Sequence, residues 1–430
     1  MHQVFAALKL RAVKIAEKEL CRVTSIWEIA GALARGFVRK TTAWRRSSVL
    51  TAERAALAVP DKAVREIALL LENKLERSGA AGGRHAAGPP KKEQAELASR
   101  IRKETQAWNL NNVTRTQAYW NMYREYPELH WALLAHLVSR NGGWSMTDLK
   151  GEWLPRLLRP ESAEVQFALL EACNALIFRD AYPQLKLYAE SRIYGMPLFA
   201  LLPSFGVSSF MAPFWERFWS TRESALLTVA LIINEQHVIQ GPVVERAFFR
   251  ERVFESLSFR AIPYLQTNQI VFPLLSASRN AGRPIPLAGR VLENFPDLRE
   301  RVEFGKSLYA MLFGYPRVLT EATAFAAKVP HTGSRSDYWP ERFSAAKRKT
   351  GGTSPDRDFS AGIRWYSPPL EAAWPDRPLP ESAPPDWFRD RSALAYLTPL
   401  KAPRIIDMTA EHLLGQHKWQ AAVRLKQDVF

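Results

Sequence analysis

Glu235 is the residue whose setting is hardest to explain without chemistry. Ten uncharged residues, Ala225–Asn234, precede it in a helical stretch that is apolar almost all round. A carboxyl group carried there needs a partner or holds its proton more tightly than usual, which suits acid–base work. Asn174 is set between Leu170 and Phe178 in a similar way. His136 and Arg140 lie four residues apart and share a helix face with Leu129 and Leu133. His130 is about 120° round the same helix, so the two histidines cannot chelate one metal from it alone, and no metal site is expected. The segment from His331 to Arg335 reads as a glycine-containing loop able to present an anion site. If chemistry occurs, Glu235 is the acid or base, His136 or His331 moves a proton, and Arg140 or Arg335 holds an anion. Asn141, Asp148, Asn174, Asp180 and Asp337 complete the candidate ligand-binding groups. Each has a plainer role beside this one. Glu235 can point to solvent at the helix end, the histidines can be hydrogen-bonded structural residues, Asp148 can be a cap, and 331–335 can be an ordinary loop.

The elements that must position these groups are helical. Pro60-Asp61 opens a helix with Val64, Ile67, Leu71 and Leu75 on the 3.6-residue period, stopped by Ser78-Gly79. Pro127 starts a helix over 128–140, and Asn141-Gly142-Gly143 supplies its left-handed stop. Ser145 to Asp148 has capping-box spacing for the next helix. Pro160-Glu161 opens one to about Asp180, Arg222 to Gln240 is closed by Gly241-Pro242, and another covers about 298–313. Period-2 alternation is not sustained anywhere, so strand should form less than about 10% of 105–345. The fold class is mainly α: a multi-helix globular domain with a helical N-terminal extension and a proline-rich, largely irregular C-terminal segment. The expected division is a basic helical region 1–78, a flexible Gly/Ala/Pro linker 79–92, a helical core 93–345, and a tail 346–430 ending in a short helix, Thr409–Lys426. Ten prolines between 355 and 403 favour extended segments there. The aromatics Trp365, Tyr366, Trp374 and Trp387 among them suggest a tail laid over the helical body.

Composition narrows the classes. With 47% hydrophobic residues among 430, the chain can offset its ordering entropy and is not a disordered protein. Two cysteines, Cys21 and Cys173, exclude a disulfide scaffold and read as buried thiols in a reducing cytosol. Lys9, Arg11, Lys14 and Lys18 break up the only N-terminal apolar stretch, so no signal peptide is expected. The uncharged segment Gly195–Trp215 is interrupted by Pro197, Pro203 and Pro213 and reads as buried loop, not membrane span. A cytoplasmic protein is expected. The formal charge is +16, and residues 1–100 carry 19 basic against 10 acidic groups. Clusters such as Arg39-Lys40 and Arg45-Arg46 could meet nucleic-acid phosphates or anionic lipid, but a solvated surface explains them as well. Walker, Rossmann, nucleophile-elbow, zincin, CxxC and EF-hand signatures are all missing, and no cofactor is indicated.

Five segments carry a resemblance: 112–119 (NVTRTQAY), 127–151 (PELHWALLAHLVSRNGGWSMTDLKG), 174–185 (NALIFRDAYPQL), 224–236 (SALLTVALIINEQ) and 330–340 (PHTGSRSDYWP). Through them the chain resembles the YppC-like family of Bacillus relatives, a bacterial domain of unknown function, over about 105–345. The resemblance implies a Firmicute-type cytoplasmic protein and brings no activity, with the first hundred residues and the tail outside it. Two functional classes remain. One is a helical protein with a polar pocket for a small polar or anionic ligand, possibly hydrolytic in action. The other is a non-catalytic interaction protein that docks a protein partner through its basic N-terminal region and proline/aromatic tail. Association of residues 1–60 with a membrane or nucleic-acid surface is a weaker third.

Overall fold

A computed structural model describes residues 39–80, 92–255, 268–276, 285–347, 364–377 and 385–429. In chain order its main helices are α1 (39–50), α2 (Asp61–Ala80), α3 (Lys92–Trp108), α4 (Asn112–Glu125), α5 (His130–Asp148), α6 (Pro160–Tyr194), α7 (Ala212–Thr221), α8 (Ser224–Ile239), α9 (Leu298–Gly314), α10 (Pro316–Lys328) and α11 (Thr409–Val429). Strand is confined to two two-stranded sheets among the described residues. β1 (Gln269–Pro273) pairs antiparallel with β2 (Leu287–Val291), and β3 (Phe343–Ser344) pairs parallel with β4 (Trp365–Tyr366). The fold is mainly helical, as the periodicity predicts.

The centre is α8. Every residue from Ala225 to Asn234 is buried, because a helix apolar all round has no face to give to water. It packs against α5, α6, α7 and α9. Asn111 caps α4 through a reciprocal capping box with Thr114. Pro160 opens α6, and Gly195 closes it in the left-handed conformation at φ +68°.

Several expected boundaries move. The glycines at 142 and 143 do not end α5, which runs on to Asp148, so the stretch from Ser145 to Asp148 is helix and not the cap of a new one. The reason is space. A Cβ on Gly143 would stand 2.5 Å from Asn112 Oδ1 and 2.6 Å from His331 Nε2, so glycine is needed for close approach rather than for a turn. The start of α5 also shifts, to His130 with Leu129 before it. Helix α6 continues past Asp180 to Tyr194 with Pro183 inside it; packing on both sides offsets the one lost backbone hydrogen bond. Of the N-terminal region, 39–50 and 61–80 are helical and 51–60 are not, while 1–38 and the linker segment 81–91 lie outside the described residues.

The described parts of the tail pack against the helical body. Trp365, Trp374, Phe388, Leu397, Ile406 and Trp419 are buried. Trp374 stacks on Phe167 at 4.1 Å and donates to the Met146 carbonyl at 2.8 Å. Trp387 stacks on His237 at 4.0 Å and donates to Asn234 Oδ1 at 2.9 Å. Helix α11 puts Trp419 and Val423 into a cluster with Trp144 and Trp339.

Candidate functional site

A cavity of about 380 Å³ runs through the helical body, within the usual range for small-molecule sites. One wall is a stripe along α5: Trp131, Leu134, Ala135, Val138, Gly142, Ser145, Asp148 and Leu149. The facing wall is a stripe along α6: Gln166, Leu169, Leu170, Cys173, Asn174 and Ile177. Both follow the i, i+3, i+4 spacing of one helix face. Arg301, Phe304, Gly305 and Leu308 of α9 close a third side, and Gln269 and Ile270 of β1 a fourth. From Trp131 to Asp148 the rise of α5 is about 25 Å. The space is therefore long, mostly apolar, and polar at separated points.

Glu235 marks the Trp131 end. Its Oε2 accepts from Trp131 Nε1 at 3.0 Å and its Oε1 from Gln236 Nε2 at 3.0 Å. Burial pushes the carboxyl up to about 7, the two donors pull it back, and the nearby Asp180 raises it further. No arginine or lysine pairs with it among the described residues. Its residual accessibility is that of a cavity-lining group. Asp180 stands behind the wall, accepting from Gln184 Nε2 at 2.7 Å and from the Asn234 amide, and burial lifts it too to about 7.

Asp148 marks the other end, in a fork with Arg335: Nε to Oδ1 is 2.8 Å and Nη2 to Oδ2 is 2.7 Å. Burial raises the Asp148 carboxyl while Arg335 opposes the rise. The guanidinium lies over Trp419, Trp144 and Trp339 at 5.2, 5.4 and 5.7 Å. Its Nη1 is 3.2 Å from His412 Nε2. Between the two ends, Asn174 donates to the Leu170 carbonyl at 2.8 Å and accepts from Asn112 at 3.4 Å. Asn141 exchanges hydrogen bonds of 2.9 Å with the Val271 backbone, tying β1 to α5.

The remaining candidates form a network beside the cavity. Arg140 Nε donates to Tyr338 Oη at 2.6 Å, and Tyr338 Oη donates to His331 Nδ1 at 3.1 Å. His331 Nε2 donates to Asn112 Oδ1 at 2.9 Å, and Asn112 in turn donates to the Ser139 carbonyl. His136 donates through Nδ1 to the Thr116 carbonyl at 2.9 Å. Burial, then Arg140, lowers His136 to about 3 and carries His331 well below the ordinary histidine value, so both are neutral. Asp337 accepts from Thr332 N at 2.7 Å in its own loop. The structure thus brings Glu235, Asn141, Asn174, Asp148 and Arg335 to one cavity, and places His136, Arg140, His331, Asp180 and Asp337 outside its lining.

Trp131, Gln269, Arg301 and His412 line the same space without having been singled out in the sequence. His412 was hidden because it belongs to the tail, and Arg301 because it sits on a helix rich in charge. Cys173 faces the cavity as a thiol that burial pushes up to about 12, which leaves it protonated and a poor nucleophile. Among the described residues no cluster of three or more His, Cys, Asp or Glu is placed to hold a metal ion, and no helix is long and apolar enough to cross a membrane.

Residues 108–420 match a family described as a protein of unknown function (DUF2515). The match takes in most of the tail, including His412, which the sequence resemblance had left outside. The chain is 36% identical to the uncharacterized protein YppC of Bacillus subtilis (strain 168) over 333 residues, covering 77% of this chain and 95% of that protein. No solved structure matches it. On both comparisons the chain belongs to the DUF2515 family, whose function is unknown.

Proposed function

We propose that this protein binds an elongated, largely apolar small molecule in the cavity along α5, with a hydrogen-bond donor of that molecule, an amine or hydroxyl, seated on Glu235. The observation that carries the reading is Glu235 itself: a cavity-lining carboxyl that, among the described residues, has no cation beside it and only one donor on each oxygen. A carboxylate oxygen accepts more than one hydrogen bond, so it has capacity left for a ligand. The rest of the lining offers apolar area, which suits a ligand chain more than a small polar or anionic metabolite. The reading is one of binding rather than hydrolysis, because Cys173 is held protonated, His136 and His331 lie outside the lining, and both ring nitrogens of the lining His412 are taken up by Arg335 and Gln269. The buried thiol of Cys173 also supports a cytoplasmic location.

The test uses the full-length protein with N-phenyl-1-naphthylamine as a fluorescent reporter of the cavity and long-chain alkylamines as competitors. Alkylamines should displace the reporter and raise the melting temperature, since selective binding to the folded state stabilises it. Glu235→Gln should weaken alkylamines by about 10- to 150-fold, as expected for loss of a charge-assisted hydrogen bond of about 1.5–3 kcal/mol, and leave the reporter unaffected. Failure of the alkylamines to bind would refute the proposal, whether or not the reporter binds.

A further inference from the structure

The end of the cavity away from Glu235 holds two polar atoms that the fold leaves unsatisfied. Gln269 and Asn268 adjoin at the start of β1, and both line the cavity. Gln269 is only 7% exposed. Among the described residues its buried Nε2 has no acceptor, and the buried Oδ1 of Asn268 has no donor. Neither is a matter of which way the amide was turned. Asn268 donates through Nδ2 to the Leu292 carbonyl, so the oxygen is the atom left over. The orientation of Gln269 is set by a relay that starts at Asp148. Arg335 is locked on that carboxylate by its Nε and Nη2. An arginine only donates, so its Nη1 makes His412 Nε2 an acceptor. The remaining proton of a neutral His412 is then on Nδ1 and is given to Gln269 Oε1 at 3.1 Å. The Gln269 oxygen is therefore used, and the NH₂ is the group left over.

Buried polar atoms without partners are rare, and two of opposite sense on adjacent residues of one cavity wall point to a missing molecule. Arg335 is paired with Asp148, burial with Arg335 and Arg342 keeps His412 neutral, and Arg342, outside the lining, gives Nη1 to Gln416. Among the described residues, the two cations that line the cavity, Arg335 and Arg301, already have oxygen partners that a carboxylate would have to displace, whereas an uncharged amide offers the two complementary atoms. We infer that the ligand carries an amide group at the end opposite its Glu235 contact, its carbonyl oxygen received by Gln269 Nε2 and its N–H by Asn268 Oδ1. The inference rests on reading the cavity as a ligand site and adds the chemistry of the ligand's second end.

The experiment compares, on the full-length protein, alkylamines with ω-aminoalkanamides of equal length, over a series of lengths. The corresponding ω-amino methyl esters and ω-aminoalkanoic acids form the control arms. At the best length the amide should bind about tenfold tighter than the plain amine, as expected for two added hydrogen bonds. The ester should gain less and the acid should gain nothing. Gln269→Leu should erase the amide's advantage over the plain amine. An amide no better than the amine in the wild-type protein would overturn the inference, with water then satisfying the two atoms. So would a Gln269→Leu variant that keeps the preference. The wild-type series decides the matter even if the variant does not fold. Failure of plain amines to bind would instead sink the parent reading.

Discussion

The carboxyl of Glu235 should make this protein less stable as the pH rises from acid to neutral, and Glu235→Gln should remove much of that loss. In the unfolded chain the group titrates near its ordinary value of 4.5; in the fold it is pushed up to about 7. Below 4.5 it is protonated in both states and contributes nothing. Between 4.5 and 7 the folded state holds a proton that the unfolded state has released, so stability falls with rising pH. Above about 7 the full cost is present and the dependence ends. At 1.36 kcal/mol per pH unit the whole interval is worth about 3 kcal/mol. Glutamine is neutral throughout but presents an NH₂ to one of the two donors that Glu235 now satisfies, which costs about 1 kcal/mol. The variant should therefore be about 1 kcal/mol less stable than the wild type near pH 4.5 and about 2 kcal/mol more stable at pH 8. The two stabilities should cross in between. Urea unfolding followed by tryptophan fluorescence from pH 4.5 to 8.5 measures this directly. A Glu235→Gln variant destabilised by the same amount at every pH would refute the reasoning, because the native carboxyl would then have its unfolded-state titration.

Gly143→Ala should cost about 1–3 kcal/mol, since its Cβ would press on Asn112 and His331, whereas Gly142→Ala, with nearest atoms at 3.4 Å, should cost less; paired thermal melts check the order. Asp148→Ala should destabilise by about 3–5 kcal/mol by leaving Arg335 buried and unpaired. Adding Arg335→Met to it should recover part of that loss, which a double-mutant cycle in urea reads out. Trp374→Ala should cost about 3–5 kcal/mol if the proline-rich tail belongs to the body, as its stacking on Phe167 and its bond to Met146 indicate. A change in urea midpoint near zero would contradict that packing.

Much of the helical layout could be read from the chain because it is local. The period of Val64, Ile67, Leu71 and Leu75 and the opening Pro60-Asp61 place α2 well, and the uncharged run before Glu235 identifies both the central helix and its one acidic group. The misreadings share a cause. Asn141-Gly142-Gly143 has the local signature of a stop, yet α5 continues because Asn112 and His331, distant in sequence, occupy the space that a side chain at 143 would need. Pro183 likewise ends a helix on local grounds, while packing carries α6 through it. The polar chain Asp148–Arg335–His412–Gln269 draws on four separate segments. Local sequence marks Asp148 and Arg335 singly but not their pairing, and marks neither His412 nor Gln269, so only tertiary structure could assemble it.

The arginines explain why a donor rather than an anion is the group expected in the cavity. Arg140 is 1% exposed with no carboxylate bonded to it, and it gives Nη2 to the carbonyls of Val329 and Pro330, just past the end of α10. Arg301 is 2% exposed and gives its N–H groups to the side chains of Gln236 and Gln240, to the Gln236 carbonyl near the end of α8, and to the carbonyls of Phe295 and Pro296 just before α9. Arg140 thus sits at the C-terminal end of α10, the negative end of its dipole, and Arg301 is held by amide and carbonyl oxygens, so each buried cation is compensated without a bonded carboxylate. Arg335, the third, is spent on Asp148 and His412. An anionic ligand would have to break these bonds, leaving helix ends or Asp148 uncompensated, before it gained any of its own. Glu235 is in the opposite position, since a donor can be added to its carboxyl without taking anything away.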